Sequence, residues 1–287
     1  MINRIIQHFR LNVLSINEVE DSYSSTVYKC NLLNGENVFI KIPYTKLKWQ
    51  RELEAYSILK GKVSVPEMLN YWSGDEEFSG AFLLSELKGE PLTSAVSTSV
   101  AFQVGEIHAS LHTLKPTAVN KLNTIQNEFP NWSAFIESQF YSFAEDVKEV
   151  LPILLYKKSL DKYEEMKRQL PAPDGPSFIH MDFRPANILV DDNKVSGVID
   201  FESVRFGSTE IDFTKLYRDF LSFNPALYKA YRDGYNSIRP LIDLEIVLPF
   251  YQFTDAFNSI GWCKRRGMEK NALFLKENLV RLQNLLR

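Results

Sequence analysis

The chain has 287 residues, 45% of them hydrophobic and 24% charged, the balance of a globular protein with room for about two domains. Lys and Arg total 33 against 36 Asp and Glu, a net charge of -3, which excludes the broad cationic field that nucleic acid or an anionic membrane would require. The two cysteines, Cys30 and Cys263, form neither a disulfide framework nor a metal-ligand spacing, so a reducing compartment is expected.

Residues 1–14 mix Arg4, Gln7, His8 and Arg10 among their apolar side chains and lack the continuous apolar core of a secretory signal. The apolar stretch at 241–250 is short and broken by Asp243 and Glu245, so no membrane span is expected and the placement is cytoplasmic. From residue 25 the first third is β-rich. Runs at 25–33 and 37–43 flank Asn34-Gly35, a dipeptide suited to a hairpin turn. In the second run Val38, Ile40 and Ile42 share one face, leaving Phe39 and Lys41 on the other. A helix is predicted over 46–60, stopped by Gly61, then strands over 67–73 and 81–87, ending at Lys88-Gly89, where a glycine suits a hinge.

Beyond Gly89 the pattern is helical. Residues 97–114 carry Val104, Ile107, His108 and Leu111 at helical spacing, and 132–143 and 156–170 are two more helices. The proline-rich run 171–176 breaks the pattern. Asp191-Asp192-Asn193-Lys194 forms a turn between two short strands, and everything after Glu210 is mostly helical. A small β-rich lobe at 1–88 and a larger helical lobe at 89–287 give an α+β, bilobal plan.

The chemistry concentrates between these two short strands and the residues before them. His180-Met181-Asp182-Phe183-Arg184-Pro185-Ala186-Asn187 leads into an apolar strand, and after the turn a second apolar strand ends at Asp200. A lone Asp and Asn at this spacing would more often be an ordinary hairpin with polar ends. The full order of loop, Asn, strand, turn, strand and Asp is far rarer. It supplies what phosphoryl transfer needs: Asp182 to receive a hydroxyl proton, and Asn187 and Asp200 as hard oxygen ligands for magnesium. Lys41 stands alone among apolar residues, and most such lysines are solvated. As a nucleotide-phosphate ligand it would need an acidic partner on the next helix. Glu52 lies on the stripe of Trp49, Tyr56 and Leu59, whereas Glu54, with Arg51, Gln50, Ser57 and Ile58, is expected to face outward.

These residues resemble the catalytic core of the protein-kinase-like superfamily, specifically its aminoglycoside phosphotransferase and choline kinase branch. The resemblance runs from about Val38 to Phe213 and includes Arg51-Glu52, Val65-Pro66, the run Phe82 to Leu92, Ile107-His108-Ala109-Ser110-Leu111-His112 and Asp200-Phe201-Glu202 with Gly207 and Asp212. It implies the bilobal kinase fold, ATP or GTP with Mg2+ as cofactors, and a small alcohol as acceptor, cations among the candidates. No A-P-E segment follows Asp200, and Glu202 stands where protein kinases carry glycine, which disfavours a protein acceptor. The nucleotide base would lie against the backbone of Ser85, Glu86 and Leu87. Ser22, Ser24 and Ser25 would stand in the phosphate-covering turn, which here lacks glycine. A choline- or ethanolamine-type kinase is the alternative enzyme. A nucleotide-binding pseudokinase is the alternative of another class, supported by that glycine-free turn.

Arg184, two residues after Asp182, would either neutralise γ-phosphate charge or pair with a nearby acid such as Glu202. His180 is expected to brace the loop. His108 and His112 stand four apart on a helix without a convincing third zinc ligand, so they read as core histidines. For a cationic acceptor, Asp212, Asp219, Asp233 and Asp255 and the aromatics Tyr217, Tyr251 and Trp262 are available; Asp212 is equally suited to a structural role.

Overall fold

The computed structural model describes residues 1–19, 25–116 and 124–287. Two elements precede the expected β-rich region: a helix, α1 (Ile2–Phe9), and a strand, β1 (Val13–Glu18). No side-chain cap or first-turn acid marks the start of α1; it is held by Ile5 and Phe9, four residues apart, which bury against the sheet. Strands β2 (Ser25–Leu32) and β3 (Asn37–Pro43) follow, then α2 (Lys46–Leu59), β4 (Met68–Trp72) and β5 (Ala81–Ser85). They form one antiparallel sheet in the order β1-β2-β3-β5-β4. In the β2–β3 turn only Gly35, φ 86°, takes the left-handed conformation, and its N–H donates to the Leu32 carbonyl.

The β3 pleat separates two environments. Val38, Ile40 and Ile42 join Ile5, Phe9, Cys30, Ala81 and Leu83 in a small core on the α1 side. Lys41, opposite Phe82 in the register, lies on the other face. Helix α2 is capped by Thr45, whose hydroxyl accepts from the Lys48 N–H. Its stripe of Trp49, Glu52, Tyr56 and Leu59 is buried. Arg51 and Glu54, expected outside, are buried too. The Arg51 guanidinium donates to the Glu202 carbonyl, and the Glu54 carboxylate accepts from the N–H groups of Thr124 and Ile125 and the Thr124 hydroxyl. Partners from distant parts of the chain cover the face that helical periodicity assigns to water.

The expected boundary at 88 and 89 falls between β5 and the short β6 (Glu90–Pro91). Gly89 has φ 110°, and a Cβ there would stand 2.3 Å from the Val190 carbonyl oxygen, so a side chain would force the chain off its neighbour. Helices α3 (Thr98–Thr113), α4 (Trp132–Lys148) and α5 (Ile153–Lys167) lead to β7 (Ser177–Ile179), β8 (Ile188–Asp191), β9 (Lys194–Val198) and β10 (Arg205–Gly207). The last third is α6 (Glu210–Asp219), α7 (Pro225–Ile238), α8 (Leu244–Arg266) and α9 (Ala272–Leu285). Asp192 and Asn193, with φ 46° and 60°, form the β8–β9 turn, in the sense that matches strand twist. The architecture is α+β, a small antiparallel sheet followed by a helical region. Its larger core is continuous from Trp49, Tyr56 and Phe82 through Phe183 and Phe201 to the C-terminal helices. Among the described residues no helix is long and apolar enough to cross a membrane.

Candidate active site

The loop after β7 is built around one buried carboxylate. Met181 takes the left-handed conformation, φ 67°, which costs a non-glycine residue about 1–3 kcal/mol. The N–H groups of His180 and Met181 both donate to Asp212 of α6, at 2.5 and 2.7 Å, charge-assisted bonds that offset the strain. Asp212 is braced from behind by α3 and α7. His112 Nε2 lies 3.4 Å and His108 Nε2 3.9 Å from its Oδ2. His108 Nδ1 meets the Tyr231 hydroxyl at 2.7 Å and His112 Nδ1 the Tyr235 hydroxyl at 2.8 Å. Burial pushes both imidazoles down, His108 to about 3, so both are neutral. The third ligand that the sequence did not offer is Asp212, and the three groups lie within 4.8 Å of one another. Both Asp212 oxygens are nevertheless committed to the loop amides and each histidine to a tyrosine, so the cluster is a hydrogen-bonded brace.

His180 ties the loop to the end of β9. Its Nε2 donates to the Ile199 carbonyl at 3.0 Å and its Nδ1 accepts the Asp182 N–H at 3.3 Å, a tautomer assigned from these bonds. The Ile199 N–H in turn donates to the Asn187 carbonyl at 3.0 Å. These bonds bring Asp182, Asn187 and Asp200 together from two segments. Asn187 Nδ2 donates to the Asp182 carbonyl at 2.9 Å and to its Oδ2 at 3.2 Å, which leaves the amide oxygen as the end available to a cation. Asp200, φ 71°, directs its Oδ1 to Lys41 Nζ at 2.6 Å. Lys41 also reaches Glu52 Oε1 at 2.8 Å, the partner that the helix stripe singles out. Burial acts to discharge Lys41, yet Asp200 and Glu52 override it and hold the ammonium well above the usual lysine range.

Asp182 carries two cations. Lys215 Nζ is 2.5 Å from Oδ1 and Arg184 Nε 3.2 Å from Oδ2. Burial acts to raise this carboxyl, but Lys215 and Arg184 override it and hold it well below the usual carboxylate range. The acid that Arg184 meets is therefore Asp182. Glu202 instead pairs with Lys48 at 2.7 Å. Motif reading passes over Lys215, the closer of the two cations on Asp182. The signal available was its place three residues after Asp212, on the same face of α6.

Ser85 is tied to the residue before β4: its N–H donates to the Glu67 carbonyl at 2.9 Å and its hydroxyl accepts the Glu67 N–H at 2.8 Å, so its N–H is not free for a base. Glu86 and Leu87 follow the end of β5, and the Glu86 carboxylate is anchored by Lys29 at 2.7 Å and Asn37 at 2.9 Å. Ser25 is buried at the start of β2, opposite Pro43. Ser22 and Ser24 lie outside the described residues.

A small antiparallel sheet, a helical region and this loop together define a protein-kinase-like fold. The same architecture occurs in the aminoglycoside phosphotransferase APH(2")-IIia, solved with GDP and kanamycin: TM-score 0.80 at 14% identity, covering 99% of this chain and 97% of that one. A thermostable mutant of APH(4)-Ia, solved with AMP-PNP and hygromycin B, matches with TM-score 0.70 at 14% identity, covering 99% and 97% of the two chains. The macrolide 2'-phosphotransferase MphH from Brachybacterium faecium matches with TM-score 0.68 at 14% identity over 97% and 95%. The sequence matches no curated protein. Residues 15–245 match the model of the phosphotransferase enzyme family. The chain belongs to that family, and its fold is that of small-molecule kinases.

Proposed function

We propose that the protein transfers the γ-phosphoryl group of ATP or GTP, bound with magnesium, to a hydroxyl of a small molecule. The observation that carries this reading is the convergence of Asp182, Asn187, Asp200 and Lys41 through the bonds described above. In it Asp182 orients the acceptor hydroxyl and takes its proton, Lys41 meets the nucleotide phosphates while Glu52 holds it, and Arg184 offsets charge on the transferred group. The backbone at Glu86 and Leu87 meets the base. The carboxylate of Asp200 and the amide oxygen of Asn187 are a hard oxygen pair of the kind magnesium takes. Such an ion would bridge and neutralise phosphate oxygens. Nucleotide use is further supported by the GDP and AMP-PNP complexes of the structural neighbours.

The test is magnesium-dependent release of ADP and GDP against pooled alcohols, with wild type and Asp182→Asn in parallel. Release with one pool, reduced about 10²- to 10⁴-fold in the variant, is expected of a general base. Equal release by both proteins would remove Asp182 from its role. Magnesium-dependent nucleotide binding with no release in any pool would favour a binding module without turnover.

A further inference from the structure

An alcohol approaching Asp182 meets two cations at once, Lys215 at 2.5 Å and Arg184 at 3.2 Å from its oxygens. Both are partly open, with side chains 31% and 36% exposed. Burial acts to discharge Lys215, but Asp182 and Asp255 override it and keep the ammonium charged. A polycationic acceptor would have to bring its own ammonium groups against this pair, and each of the acids expected to receive them already carries a partner. Asp212 is consumed by the loop amides. Asp219 is held through both oxygens by Arg218, and Asp255 by the same guanidinium. Asp233 is out on α7 with Lys229. The aromatics expected for a quaternary ammonium are packed against other side chains rather than gathered around Asp182. The Tyr251 hydroxyl accepts from Trp132, Tyr217 stands edge-on to Tyr228, and Trp262 edge-on to Phe274.

We infer that the acceptor carries an anionic group, a carboxylate or a phosphate, beside its reacting hydroxyl, and that Lys215 is the residue that binds it. The inference rests on the phosphotransferase reading and narrows its acceptor. An ammonium has three donors, and the bond to Asp182 uses one. An anion on the acceptor takes Lys215 from Asp182 Oδ1 and so frees that oxygen for the hydroxyl. The acceptor oxygen then bonds to the γ-phosphorus, the bond from that phosphorus to the β–γ bridging oxygen breaks, the nucleoside diphosphate leaves and the hydroxyl proton passes to Asp182. A cationic acceptor leaves Lys215 clamped on the base.

Three acceptor pools separate the possibilities: hydroxycarboxylates, phosphorylated alcohols such as sugar monophosphates, and aminoglycosides, each with MgATP and MgGTP. Turnover is expected with one of the first two, and which of them responds distinguishes carboxylate from phosphate. In Lys215→Met the acceptor KM should rise at least about 10-fold, the loss of one charge-assisted contact, with the nucleotide KM unchanged. Lys215→Arg should restore part of it. A purely structural role would leave the acceptor KM alone. Higher kcat/KM with aminoglycosides than with any anionic acceptor, or an unchanged acceptor KM in Lys215→Met, overturns the inference and leaves the phosphotransferase reading standing. Silence in all pools from protein that binds MgATP or MgGTP also overturns it. Failure to bind either nucleotide overturns the phosphotransferase reading itself.

Discussion

Lys41 lies 2.6 Å from Asp200 and 2.8 Å from Glu52, so one ammonium serves two carboxylates. At Glu52 burial outweighs its share of that charge, and the carboxyl is pushed up to about 7 from 4.5. The folded protein thus holds this proton longer than the unfolded chain. The corresponding stability is complete below pH 4.5 and is lost as pH rises through 7. Glu210, buried and also raised to about 7, has the same sign. His108, lowered from 6.5 to about 3, has the opposite one: its stability is present above 6.5 and lost as pH falls toward 3. Glu52→Gln removes one of these groups without touching the others, so denaturant unfolding should show a smaller loss of stability from pH 4.5 to 7 in the variant than in wild type. Identical slopes would mean that Glu52 is ionised throughout. At this scale the sequence shows a residue's chemistry but not its distant partner. Glu52 could be chosen over Glu54 because a period of 3.6 is local. Arg51 and Glu54 are buried against that period because Glu202 and the Thr124–Ile125 amides, which cover them, lie 151 and about 70 residues away, beyond the reach of any periodicity.

Helices α3 and α7 set the positions of the histidines and tyrosines behind Asp212, and they do so by touching at two glycines. A Cβ on Gly105 would stand 2.2 Å from the Tyr231 carbonyl oxygen, and one on Gly234 2.0 Å from that of Phe102. In an unhindered helix, Gly→Ala adds about 1 kcal/mol of stability. Here the obstacle is backbone, so Gly234→Ala should destabilise by about 1–3 kcal/mol, as overpacking does, and separate His108 and His112 from their tyrosines. Denaturant titration reads the first effect, and the second should lower turnover at saturating substrate. A stabilised Gly234→Ala protein would show that the helices have room to part. Sequence pattern finds the elements whose signals are contiguous: the β8–β9 turn from Asp192-Asn193, and α3 from its periodic face. It passes over α1, which has no cap, and β1, whose alternation is mostly exposed. Gly105 and Gly234 gave no signal at all, because a glycine inside a helix declares its purpose only when the crossing helix is in place.

The larger core runs from α2 to the C-terminal helices, and the family match over residues 15–245 spans both the sheet and the loop after β7. A ligand that joins Lys41 and Asp200 on one side to Asp182 and Asn187 on the other should therefore stabilise the fold as a unit. Saturation with MgATP or MgGTP at 100 times its Kd should add about 2.7 kcal/mol. Chelating the magnesium should remove most of that gain while leaving the ligand-free melting temperature little changed. An equal gain with and without magnesium would dismiss Asn187 and Asp200 as ligands of the ion. The broad architecture was legible because its order of strands, loop and helices is contiguous. The charge around Asp182 was not, because Lys215 reaches it only when α6 packs beside the loop. The most direct measurement is the transfer of a labelled γ-phosphoryl group from saturating MgATP or MgGTP to pooled alcohols by wild type and Asp182→Asn, with nucleotide affinity determined for both. Phosphotransfer at this loop predicts labelled acceptor from wild type, little or none from the variant, and the same affinity in each. Labelled acceptor at equal rates from both proteins would contradict it.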